Sequence, residues 1–124
     1  LQGLIPSTPT NTVTVSLVVP AAPSSVAVSI VKQNNGRRAK DRATITITNG
    51  ANGQTSFTIR RATNAAMTSG LNTTTVNSTA AQGATVTVTQ SSLSAGNYYY
   101  QVRANNAIGS SAYTNATPWP AVAP

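Results

Sequence analysis

The stretch Leu93–Asn115 reads LSAGNYYYQVRANNAIGSSAYTN, and its alternation decides the fold. A strand turns successive side chains to opposite faces. Tyr98, Tyr100, Val102 and Ala104 therefore share one side, and Tyr99, Gln101 and Arg103 share the other. The first set suits a core and the second suits solvent. SLSAG precedes this strand and NNAIG follows it, both rich in turn formers. The last strand is expected to run through Ala112 to about Thr117, where Pro118 and Pro120 stop it and leave 119–124 as a proline-rich tail.

The same period recurs upstream. ATVTVT sets Val86 and Val88 on one face, and SFTIRR puts Phe57 and Ile59 inside with Arg60 outside. RATITIT opposes Ile45 and Ile47 to Thr44, Thr46 and Thr48, and Val26, Val28 and Ile30 form an earlier alternating face. Asn35-Gly36, Asn49-Gly50 and Asn52-Gly53 mark turns between them. Residues 62–82 are weakly patterned, with short edge strands expected around Leu71 and Val76. No window of helical period reaches a useful length. About seven short strands between turn signals indicate an all-β sandwich. Composition agrees: charged residues are 7% of the 124, against roughly 25% in an average soluble domain. Thr and Val take their place, which suits pleated strands with one wet and one dry face.

These residues resemble a fibronectin type III domain of the kind found in bacterial secreted and surface proteins. The resemblance spans roughly Pro23 to Pro118. It rests on the proline-marked opening PAAPSSVAV, on SFTIRRATN, and above all on the leucine, small turn, tyrosine, V-x-A and Asn-x-x-Gly turn within residues 93–115. It implies a seven-stranded immunoglobulin-like sandwich, with an extra N-terminal strand or linker over residues 1–22. It implies that Tyr98 is a tyrosine corner whose hydroxyl bonds backbone near the preceding turn. The tryptophan usual on the family's second strand is absent. Ile45 or Ile47 stands in its place, and the single tryptophan, Trp119, lies past the last expected strand. The family carries no catalytic residues; its members serve as spacers, adhesion surfaces and accessory modules.

The residues themselves also argue against catalysis. The chain has no His, Cys or Glu, and Asp41 is its single carboxylate side chain. Proton transfer, paired-carboxylate mechanisms and metal binding all draw on those residue types. No enzyme activity, cofactor or metal is expected. No stretch approaches the roughly 18 apolar residues of a membrane span.

The formal net charge is +7, and five of the eight basic residues (Lys32, Arg37, Arg38, Lys40 and Arg42) fall in KQNNGRRAKDR. This reads as a hydrophilic loop, either simply solvated or in contact with an anionic partner such as acidic polysaccharide or a cell surface. Nucleic acid is disfavoured, because the loop interleaves no aromatic residue with its charges. Tyr99 is the one residue of the tyrosine triplet that alternation turns outward. It becomes a carbohydrate-stacking site only if Tyr113 or Trp119 lies beside it.

Residues 1–22 are not absorbed by a seven-stranded domain. TNTVTVSLVVPAAP reads as a linker from a preceding module, as an extended first strand, or as a donor strand in which Val13, Val15, Leu17 and Val19 add to another copy. Head-to-tail addition of that kind does not close and so builds a filament. The expected role is an extracellular structural or adhesive module, with self-assembly through this strand as its mechanism. The alternative is an accessory binding or spacer module of a larger secreted enzyme.

Overall fold

The computed structural model describes residues 18–32 and 41–124. Val13, Val15, Leu17, Arg37, Arg38 and Lys40 lie outside them. The described chain is an all-β sandwich, with no helix among the described residues. Its strands are β1 (Ser25–Lys32), β2 (Asp41–Thr48), β3 (Ser56–Ala62), β4 (Asn72–Asn77), β5 (Thr85–Leu93), β6 (Gly96–Asn105), β7 (Thr114–Asn115) and β8 (Ala121–Ala123). One sheet runs β1-β2-β5; the larger runs β4-β3-β6-β7, with β8 also pairing with β6.

Alternation explains the core. The smaller sheet turns Val26, Val28, Ala43, Ile45 and Ile47 inward, and the larger answers with Phe57, Ile59, Tyr100, Val102 and Ala104. Ile45 and Ile47 are fully buried. Their register partners Val86 and Val88 pack against the cluster from β5. On the opposite face Thr44, Thr46 and Thr48 pair with Thr89, Thr87 and Thr85, a neutral threonine surface. β-Branched residues on both faces favour strand over helix here.

A buried amide pair ties the loop before β3 to the segment before β5. Asn49 Nδ2 donates to the Ala51 carbonyl (2.9 Å), to Gln54 Oε1 (3.1 Å) and to the Ala80 carbonyl (2.9 Å). Its Oδ1 accepts the Ala51 N–H at 2.9 Å. Gln54 Nε2 in turn donates to the carbonyls of Ser78 and Ala80. Both amides are almost wholly buried, and this mutual bonding meets the cost of desolvating them. Beside them, Gly50 packs so close to the Ala22 carbonyl that a Cβ would sit 2.4 Å from its oxygen.

The end of the chain departs from the sequence expectation. β7 pairs with β6 at Val102 and Gln101, after which the chain leaves that ladder. Thr117 bridges in parallel to Ala27 of β1, accepting from the Val28 N–H (3.1 Å) and donating to the Val26 carbonyl (2.9 Å). Past Pro120 the chain returns, and Ala121, Val122 and Ala123 pair with Tyr98, Asn97 and Gly96. Residues 119–124 are therefore not a free tail: Ala121 and Ala123 are buried. The prolines, which have no N–H for a ladder, interrupt the strand without ending it.

The basic stretch is also less of a loop than expected. Lys32 closes β1, while Asp41 and Arg42 open β2. Asp41 is buried at the inward-facing start of β2.

Candidate functional site

The detour at Pro118-Trp119-Pro120 shapes the outer face of the larger sheet. It lifts Trp119 off the ladder and onto Tyr99, with ring centroids 4.9 Å apart in an edge-to-face arrangement at 75°. Such geometry aligns the positive edge of one ring with the negative face of the other. Both rings are half-buried, so each keeps part of its surface open to solvent.

Four residues along β6 from Tyr99, Arg103 shares this outer face with Gln101 between them. The register sets Arg60 of β3 opposite Gln101, and Asn115 of β7 opposite it on the other side. Gln101 Nε2 donates to Asn115 Oδ1 at 3.0 Å. Tyr113, just before β7, receives two guanidinium groups. The Cζ of Arg60 lies 4.8 Å from its ring centroid and that of Arg103 lies 4.9 Å away. Arg60 reaches this ring across β6. Cation–π attraction is worth about 0.5–1 kcal/mol at an exposed site and more where water is displaced. Arg103 Nε is buried with no hydrogen-bond partner, so part of that guanidinium is covered. Thr58 and Asn105 complete the face, with Asn105 Nδ2 donating to Thr58 Oγ1 (2.8 Å) and Ser56 Oγ (3.1 Å).

The inward-facing Tyr98 behaves differently from Tyr99. Its hydroxyl donates to the Ser94 carbonyl at 2.8 Å, which clamps the β5–β6 turn against the strand that follows. Its ring packs on the core, and the Arg61 guanidinium lies 5.6 Å from the ring centroid. The Tyr100 hydroxyl donates to Gln90 Oε1 at 3.2 Å, and Arg61 Nη1 donates to the same oxygen at 3.0 Å. Burial pushes the Tyr100 hydroxyl up to about 12, opposed by the nearby Arg61 charge.

No family model, curated protein or solved structure matches the chain.

The remaining sequence candidates are dispersed. Lys32 pairs with Asp41 and Arg42 with Val31 in the β1–β2 register, so the two exposed basic residues belong to opposite faces of the hairpin. Val19 is 47% exposed at the opposite pole. There the Val18 carbonyl accepts from Asn106 Nδ2 at 2.8 Å, and Val19 lies against Gly109. Val18 to Pro20 form no strand. No helix of the described residues is long and apolar enough to cross a membrane. The grouping of Arg60, Arg103, Tyr113, Tyr99 and Trp119 was not assembled from sequence. The outward parity of Tyr99, Arg60 and Arg103 was readable, but the return of the chain past Trp119 was not.

Proposed function

We propose that the chain is a non-catalytic, extracellular module of the fibronectin type III kind, which binds polysaccharide on the outer face of its larger sheet. The strand order supports the family reading. The first, second and fifth strands form one sheet, and the fourth joins the third, sixth and seventh in the other. In an immunoglobulin constant domain the fourth strand lies in the first sheet instead. The binding reading is carried by one observation. The Tyr99–Trp119 pair and the Arg60–Tyr113–Arg103 cluster occupy a single sheet face. Rigid strands hold half-exposed rings beside hydrogen-bond donors, the pairing that a sugar's apolar face and hydroxyl rim require. Retention on a panel of immobilised neutral and acidic polysaccharides tests this. Tyr99→Ala and Trp119→Ala should each weaken retention on whichever polymer binds the native chain; retention that both substitutions leave intact would refute the reading.

A second reading, assembly between copies through the N-terminal segment, draws on the exposure of Val18, Val19 and Ile108. These apolar side chains belong to that segment and to the turn that receives it. Sedimentation of chains with and without residues 1–19 tests it, and monomers in both samples would end it.

A further inference from the structure

Resting on the polysaccharide reading, we propose a narrower ligand: a linear polyanionic polysaccharide whose carboxylates or sulfates meet Arg60 and Arg103 while its sugar rings meet Tyr99 and Trp119. The charge balance of the chain is the first reason. Asp41 is the single acidic side chain against eight basic ones, and it is buried in the smaller sheet. Arg60 and Arg103 belong to the other sheet and have no carboxylate side chain there to pair with.

The second reason is their proximity. Both guanidiniums approach one Tyr113 ring, at 4.8 and 4.9 Å. Their centres therefore lie within about 10 Å of each other, comparable to the screening length at physiological ionic strength. Like charges held that close repel, and a bound anion relieves the repulsion. The chemistry of the group is the third reason. A guanidinium packed on an aromatic ring still presents edge donors in a rigid fork, which matches the oxygens of a carboxylate or sulfate. Because Arg103 Nε is buried, ligand contacts from that residue fall to its terminal nitrogens.

Length favours a polymer. From Tyr99 to Arg103 is four residues of one strand, roughly 13 Å, longer than a single sugar ring. Gln101 and the exposed Asn115 lie between the levels of Tyr99 and Arg103, with Arg60 opposite Gln101. A single-stranded nucleic acid also combines phosphates with rings, but it needs aromatic faces open in succession for its bases. Here the Tyr113 ring is already engaged by guanidiniums, and Tyr99 and Trp119 meet edge to face.

The test measures affinity electrophoresis of the full chain through polygalacturonate, its fully methyl-esterified form, dextran sulfate, dextran and oligo-dT. Retardation by either acidic polysaccharide, weakening as salt rises, supports the proposal; the tighter of the two names the anionic group. The Arg60→Gln, Arg103→Gln double variant should lose about tenfold or more on that polymer, while its far-UV circular dichroism stays native. An Arg37→Gln, Arg38→Gln, Lys40→Gln variant removes three charges rather than two and should bind nearly as the native chain does. Loss of binding in the Arg37, Arg38, Lys40 variant but not in the Arg60, Arg103 variant would overturn the site. Equal binding of acidic and methyl-esterified polymer would overturn the charge inference and leave the polysaccharide reading standing. Binding to none of the polysaccharides would overturn both, and oligo-dT binding as tightly as the best of them would overturn the ligand class.

Discussion

Replacing Asn49 by Ala should be among the most costly single changes outside the apolar core. The substitution deletes one acceptor and one amide donor from a site that water does not reach. The Ala51 N–H loses the Oδ1 it meets at 2.9 Å, and the Ala51 carbonyl and Gln54 Oε1 lose their donor. The Ala80 carbonyl keeps Gln54 Nε2 at 2.9 Å, so it is not orphaned. A buried polar group left unsatisfied costs about 1–3 kcal/mol, and partial relaxation offsets some of the total. A net loss of about 2–4 kcal/mol follows, a large share of the roughly 5–15 kcal/mol that holds a typical domain. In urea, followed by far-UV circular dichroism, the midpoint should fall by about 1–2 M with an unchanged slope. Gln54→Ala should cost less, and the double variant should lose less than the two singles combined, because the amides serve each other. A loss below about 0.5 kcal/mol for Asn49→Ala, or strict additivity with Gln54→Ala, would refute the account of a coupled network.

Three further outcomes are expected. Gly50→Ala drives a Cβ against the Ala22 carbonyl, which belongs to backbone rather than to a movable side-chain end; a loss of about 1–3 kcal/mol should appear in the same urea titration. Tyr98→Phe removes the bond to the Ser94 carbonyl and keeps the ring, so thermal unfolding should show about 1 kcal/mol of destabilisation and no change in fold. Tyr100 resists ionisation until about pH 12, chiefly through burial, while an unfolded chain ionises it near pH 10. The stabilisation is thus fully present below about pH 10 and is lost as pH rises through about 12. Ultraviolet titration of tyrosinate should show a late-ionising phase near pH 12, and Tyr100→Phe should remove it.

Much of the fold was legible because strand alternation leaves a mark on every pair of residues. Ile45 with Ile47, Phe57 with Ile59, and Tyr100 with Val102 share faces by parity alone, and each pair is buried in one of the two sheets. What escaped was non-local. Pro118 and Pro120 carry a strong local stop signal, yet Ala121 and Ala123 find a ladder partner more than twenty residues back, at Tyr98 and Gly96. Tertiary pairing overrides the local signal there. The same limit hid the site. Arg60 and Tyr113 are far apart in sequence, and their meeting depends on which strands flank β6. Asp41 was misread for a related reason: its charged neighbours suggested a loop, while the pairing of β2 with β1 and β5 carries it into the sheet.

The bridge between Ala27 and Thr117 matters once the module is pulled. β1 and the segment at Thr117 run parallel. Tension applied before residue 24 and beyond residue 123 therefore drags them past each other in opposite directions. The Val28–Thr117 and Thr117–Val26 hydrogen bonds are then loaded together, in shear, and cannot open one after another from an end. Once the pairing of Ala121–Ala123 with β6 has opened, a module stretched between neighbours would resist at this short clasp, and its lifetime under load would follow the rate at which these two bonds yield rather than the equilibrium stability of the core.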